Sequence, residues 1–192
     1  MKKSISRPEA LELLERHLKT DYLRLHSRES EVIMQAMAKK LGGDEDFWGI
    51  CGLLHDLDLD EINGNMNRHG SRTVDILKNE GYDIPELFQA IMAHVEGFGD
   101  HGYKRISQLD FILSGAETLT GLISAYVILR PGGKIEGLKT KSIMKKFKSP
   151  AFAAKVDRDL IREAADHANM ELNEFITLSI DAMSSIADEL GM

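Results

Sequence analysis

The stretch Ile50-Cys51-Gly52-Leu53-Leu54-His55-Asp56-Leu57-Asp58 decides how the rest of the chain is read. A run of small and apolar residues leads straight into an imidazole and a carboxylate, so two polar groups stand where an apolar helix meets a loop. Such groups are costly to bury without a partner, and a divalent cation would satisfy both. Neighbouring residues on a helix point about 100° apart, yet both side chains can reach one ion near the helix end. A His-Asp pair alone is a weak signal, because the dipeptide recurs by chance. Its weight comes from what surrounds it.

Asp44-Glu45 opens the helix that carries this stretch, and Trp48, Cys51, Leu53 and Leu54 make its apolar side. Gly42-Gly43 ends a preceding helix over about residues 21–41, which places His26, Ser30, Ile33, Met34 and Met37 at helical spacing. The first helix starts at Ser6-Arg7-Pro8-Glu9, a capping box with proline in the first turn, followed by Leu11, Leu14 and Leu18. Downstream, residues 57–67 are dense in Asp, Asn and Gly and read as a loop. A fourth helix is expected to hold His69, Val74, Ile76 and Leu77, and a fifth, over residues 84–95, to hold His94. A long sixth helix, residues 106–129, carries Glu117 near its middle.

Pro131-Gly132-Gly133 is the best internal boundary. It separates a helical core, residues 1–130, from a C-terminal extension, residues 131–192, expected to pack on that core. The extension reads as a lysine-rich helix, a helix starting at Pro150 behind a Ser149 cap, and an amphipathic helix over 171–190. The expected fold class is all-α, a helical bundle with additional C-terminal helices. Phe175, Ile176, Ile180 and Met183 give the last helix an apolar face suited to an intramolecular core or a homodimer, with the core preferred.

Composition agrees. The 192 residues suit one domain with a small appendage, the 43% hydrophobic content supplies a core, and the 29% charge argues for a solvated surface. The single cysteine, Cys51, excludes an intramolecular disulfide and fits a reducing cytoplasm. No apolar run follows Lys2 and Lys3, so no secretory signal is expected. The apolar stretch at residues 123–129 looks too short to span a bilayer, and no membrane partner is expected.

Net charge is −7, yet residues 131–158 hold eight Lys or Arg against Glu136 and Asp157. That strip reads as a solvated helix face or as a contact for a phosphorylated ligand. Without interleaved aromatics it does not predict nucleic acid as a partner. Gly42-Gly43 and Gly132-Gly133 follow helices rather than strands, so neither makes a phosphate loop. Met34, Met37, Met66 and Met92 read as core filling, as do Cys51 and Trp48, while His17, His101 and His167 fall outside any pattern.

The remaining polar residues form a constellation. His26, His55-Asp56, His69, His94 and Glu117 are distributed over five expected helices, each with apolar neighbours at helical spacing. Converging in one core cavity, they would make a metal site of the kind built inside helical bundles. A purely structural role would leave several polar groups buried for no gain.

The order His26 … His55-Asp56 … His69 … His94 … acidic residue resembles the HD superfamily of metal-dependent phosphohydrolases. Leu53-Leu54-His55-Asp56-Leu57-Asp58 is similar to the LHD-D signature of its small bacterial and archaeal members. Ala116-Glu117-Thr118-Leu119-Thr120-Gly121-Leu122-Ile123 is similar to their ADELTGLI motif, and Lys141-Ser142, Phe152-Ala153 and Val156-Asp157-Arg158 extend the similarity into the tail. Where the family places Asp, this chain has Glu117. It is one methylene longer and still able to ligate a divalent ion, and it is read as a retained ligand.

The resemblance implies a metal held by His26, His55, Asp56 and Glu117, an N/O donor set suited to Mn²⁺, Fe²⁺, Co²⁺, Ni²⁺ or Zn²⁺. His69 and His94 match the extra ligands of dinuclear relatives, and would hold a second ion bridged by Asp56 or else contact the substrate. His55, Asp56, His69, His94 and Asp58 are the implied catalytic groups, with Asp58 as a general base or an anchor for a ligating histidine. Asp60 and Glu61 read as ordinary loop residues. Arg72, Lys104 and Arg105 are candidates to bind phosphate on a small-molecule substrate. The implied activity is hydrolysis of a phosphate ester, a nucleotide or nucleotide-like. Two alternatives are a di-iron oxygenase of the six-ligand type and a non-catalytic nucleotide-binding module.

Overall fold

Capping residues set the first three helices, and their ends place two of the candidate ligands. Ser6 caps α1 (Arg7–His17) reciprocally with Glu9. Helix α2 (Asp21–Leu41) stops where Gly42 turns left-handed at φ 74°, and α3 (Glu45–Leu54) begins under the Asp44 carboxylate. Then follow α4 (Ser71–Asn79), α5 (Pro85–His94), α6 (Gln108–Ile128), α7 (Thr140–Phe147), α8 (Arg158–His167), α9 (Leu172–Ser184) and α10 (Ala187–Leu190). The computed structural model describes residues 1–99 and 101–192. Among these the chain forms ten α-helices, two short 3₁₀ turns and no strand, so the fold is all-α.

Three local expectations are corrected. His69 does not lie in the fourth helix. It is extended (φ −61°, ψ 140°), and the positive φ of Gly70 turns the chain into α4 behind it. No helix starts at Pro150: Ala153 adopts φ 45°, and the Arg158 guanidinium gathers the carbonyls of Phe147, Ser149, Phe152, Ala153 and Val156 into successive turns. Helix α8 begins instead under the Asp157 cap. The helix expected over 171–190 divides after Ser184, where the hydroxyls of Ser184 and Ser185 bond back to the carbonyls of Ile180 and Ala182.

Helices α2 and α3 form a hairpin whose spacing is set by Gly52. A β-carbon at Gly52 would fall 2.6 Å from the Ser30 carbonyl oxygen, so the two backbones touch there. This close approach lays the start of α2, with His26, against the end of α3, with His55. Helix α6 runs through the centre, against α2, α5 and α8. At Gly115 it admits α8 so closely that a β-carbon would overlap Ala164.

Helix α6 is long and apolar enough, by length and composition alone, to cross a bilayer, which the reading of residues 123–129 missed; more than half of that apolar window is buried inside the bundle. Phe175, Ile176, Ile180 and Met183 are buried in the chain's own core, which continues without a break from α1 to α10.

Gly52→Ala is expected to force α2 and α3 apart and to lower the unfolding free energy by about 1–3 kcal/mol. Urea unfolding checks this. An unchanged midpoint would mean that the hairpin tolerates the added methyl group.

Candidate metal centre

Asp56 stands in the first turn beyond α3, almost fully buried, with its two oxygens facing opposite ways. Oδ2 lies 3.4 Å from His26 Nε2 and 3.3 Å from His55 Nε2. Oδ1 lies 3.2 Å from His69 Nε2 and 3.4 Å from His94 Nε2. Glu117 reaches in from α6, with Oε2 3.9 Å from His26 Nε2. Thus α2, the α3 end, the turn ahead of α4, the end of α5 and the middle of α6 each deliver donors to one point. Two overlapping sets of donor atoms, His26/His55/Glu117 and His55/Asp56/His94, each lie within 4.8 Å of one another.

The hydrogen bonds behind the rings fix which nitrogen faces inward. His55 Nδ1 donates to the Gly52 carbonyl at 2.8 Å, His94 Nδ1 to the Ile91 carbonyl at 2.5 Å, and His69 Nδ1 to Asp58 Oδ1 at 2.8 Å. None of these oxygens can donate, so each Nδ1 carries the proton. His26 Nδ1 lies 2.8 Å from the Thr120 hydroxyl. That hydroxyl gives its own hydrogen to the Glu117 carbonyl, so it accepts from the ring. In the neutral form, all four imidazoles therefore turn an Nε2 lone pair toward the Asp56 carboxylate.

Lone pairs facing a carboxylate repel unless a cation lies between them. His26 Nε2 and His55 Nε2 are 3.2 Å apart, and His69 Nε2 and His94 Nε2 are 3.3 Å apart. Two nitrogens bound to one ion at about 2.1 Å must lie roughly 3.0–3.5 Å from each other, so both pairs fit a shared ion. Protons serve the same purpose. Burial opposes charge on His26 and His69, yet the Asp56 carboxylate overrides it, raising His26 to about 9 and His69 to about 10. Burial also pushes the Asp56 carboxyl up, but His55, His26 and His69 hold it well below the usual range. Burial, with His69 and His55 close by, takes His94 down to about 4 against the pull of Asp56. Burial raises Glu117, opposed by His26 and His55. The centre attracts positive charge.

Asp58 is fully buried behind His69. One oxygen accepts from the ring and the other from the Thr73 amide at 3.1 Å, an arrangement that orients the His69 ring. Asp60 accepts from the amides of Lys19 and Thr20, and Glu61 accepts from His17 and Arg72, so both fasten the loop to its surroundings.

The expected phosphate contacts are not brought to the centre. Arg72 pairs with Glu61, Lys104 with Glu96, and Arg105 with Glu96 and Glu163. Each of these cations is spent on a carboxylate, and none of the three lines the cavity beside the cluster. His101 approaches the Val95 carbonyl and His167 stacks on Phe111.

That cavity measures about 960 Å³ and includes His26, Asp56, His69, His94 and Glu117 in its wall. Residues passed over in the sequence also line it: Thr120, which orients His26, and Glu29, buried and bonded by the Ser124 hydroxyl at 2.8 Å. Burial raises Glu29 to about 7, against the pull of Ser124 and His26. The spacing held the signal, since Glu29 is one turn beyond His26 and Thr120 one turn beyond Glu117. Met66, expected in the core, stands half-exposed at the cavity mouth.

Comparison with known proteins agrees with this geometry. The family model described as HD domain matches residues 24–121, a span that contains every donor of the cluster. No curated protein and no solved structure matches the chain.

Two outcomes follow from the proton positions. Asp58→Asn weakens the hold on the His69 ring and is expected to lower divalent-metal affinity about 10–100-fold by calorimetry; unchanged affinity would remove its positioning role. The charges on His26 and His69 stabilise the metal-free fold fully below the ordinary value of 6.5, and that contribution fades as pH rises through about 9 and about 10. An ion must displace those protons, so the gain in Tm from saturating Mn²⁺ should grow between about pH 6 and about pH 8.5. A gain independent of pH would contradict this.

Proposed function

The chain belongs to the HD-domain family, and on that footing we propose that it is a metal-dependent phosphohydrolase acting on a small-molecule phosphate ester. The observation that carries the reading is the Asp56 carboxylate held between two pairs of inward-facing imidazole nitrogens. His26, His55, Asp56 and Glu117 would hold one divalent ion, drawn from Mn, Fe, Co, Ni or Zn. His69 and His94, with the other oxygen of Asp56, would hold a second. When bound, such ions lower the pKa of a water ligand and polarise a phosphoryl oxygen.

The chain's own residues prepare the site for that chemistry. Gly52 and Ile91 carbonyls, Thr120 and Asp58 lock four rings in one tautomer, so little reorganisation is left for the reacting state. Hydrolysis breaks the ester P–O bond, adds the water oxygen to phosphorus, and returns one water proton to the leaving alcohol. Among the described residues, Lys155 is the Lys or Arg side chain that lines the cavity and the candidate to meet the phosphate. Glu117 occupies the family's aspartate position and reaches the cluster despite its extra methylene, with the Thr118 hydroxyl on its other oxygen at 2.5 Å. The buried free thiol of Cys51 fits a reducing cytoplasm, where we place the protein.

The presence of six donors in one cluster also supports a second reading, a di-iron oxygenase. Oxygen uptake that requires iron would favour it, and phosphate release under anaerobic conditions would favour the hydrolase.

With Mn²⁺ supplied, the protein is expected to release phosphate from 4-nitrophenyl phosphate. Asp56→Ala should lower kcat/KM by more than about a hundredfold, beyond what loss of an outer hydrogen bond costs, with an unchanged circular dichroism spectrum. A fully active Asp56→Ala protein would contradict the assignment.

A further inference from the structure

The cavity that opens onto the metal centre is mostly apolar. Leu25, Val127, Val156 and Leu160 line its walls. At its mouth stand Tyr22, Met66, Phe98 and Ile128, all large, apolar-bodied and exposed, with Tyr22 at 70% and Ile128 at 75%. Exposed apolar residues scattered singly are ordinary, but four around one opening form a patch that water solvates poorly. Among the described lining residues, charge is sparse and unbalanced outside the metal donors: one lysine, Lys155, with two carboxylates, Glu29 and Asp157. Both carboxylates are engaged within the fold, Glu29 by Ser124 and Asp157 as the cap of α8.

These features disagree with a nucleotide. A chain of phosphates needs several cations, usually arginines in forked pairs, and this lining offers one lysine against two carboxylates. A nucleobase needs free donors and acceptors on the wall, and the hydroxyls of Thr118, Thr120 and Ser124 that line it already donate to Glu117 and Glu29 between aliphatic side chains. A volume of about 960 Å³ is at the large end for small-molecule sites, which leaves room for a bulky group beyond the phosphate. Burial of apolar surface is the driving force such a wall can supply.

We propose that the site takes a single phosphate group esterified to a hydrophobic alcohol, with the phosphate at the His26–Asp56–His94 cluster and the apolar body along Leu25, Val127 and Leu160 toward the Tyr22–Ile128 mouth. The proposal rests on the hydrolase reading only for the fate of the ester. Its binding claim stands apart.

Calorimetry with methyl-, butyl-, hexyl- and octylphosphonate, which cannot be hydrolysed at the P–C bond, tests it on Mn²⁺-loaded and metal-free protein. Affinity is expected to rise up to about fourfold for each added CH₂ until the cavity is filled. Ile128→Ser, at an exposed position where the fold does not depend on it, should flatten the gain at the longest chains. A series that is flat with chain length, or AMP binding more tightly than octylphosphonate, would overturn the proposal. Chain-length-dependent binding with no cleavage of any alkyl or aryl phosphate would overturn the hydrolase reading and leave this one standing. Cleavage with a flat binding series would do the reverse. A soluble ester and a bilayer lipid present the same head and tail. Competition from phosphatidic acid in phosphatidylcholine vesicles would assign the lipid source, and octylphosphonate binding unaffected by those vesicles would assign the soluble one.

Discussion

A carboxylate almost removed from water, with an imidazole nitrogen within 3.4 Å on four sides, cannot persist without positive charge beside it. Asp56 imposes that condition on the whole molecule. Each ring around it is braced from behind by an oxygen that fixes its proton on Nδ1, and each brace is built into the backbone or core: the Gly52 and Ile91 carbonyls, Thr120 and Asp58. Protons can satisfy the carboxylate, as the raised values of His26 and His69 indicate. A divalent ion held by these nitrogens would satisfy it with the rings in their neutral form.

The bundle supplies the positions. Gly52 removes the side chain that would hold α2 away from α3, so a residue at the start of one helix meets a residue at the end of the other. Helix α6, packed most closely on α8, α2 and α5, carries Glu117 into the cluster and Thr120 one turn further on. Gly115 then lets α8 close on α6, and this brings Val156, Asp157 and Leu160 to the cavity wall. The C-terminal helices thereby shape the space in front of the histidine and carboxylate cluster, whose members all come from residues 26–117.

Much of this was legible in the sequence because it depends on local signals. Caps at Ser6 and Asp44 and the glycine after Leu41 mark helix ends through hydrogen bonds made within a few residues. The donors were legible because polar residues on apolar faces have few other uses. What failed depends on distant partners. The helix at Pro150 is displaced by one arginine, Arg158, whose five carbonyl contacts no spacing rule records. Arg72, Lys104 and Arg105 were attractive as phosphate contacts only while their carboxylate partners were unknown. Met66 has the composition of a core residue, yet its loop carries it to the mouth of the cavity.

Metal content per chain tests the central claim most directly. Elemental analysis of protein purified without chelators and without a nickel column is expected to find about one to two equivalents of a first-row divalent metal, reduced in His55→Ala. No bound metal, even after incubation with Mn²⁺ or Ni²⁺ and removal of the excess, would mean that the carboxylate is balanced by protons alone, and would contradict the account.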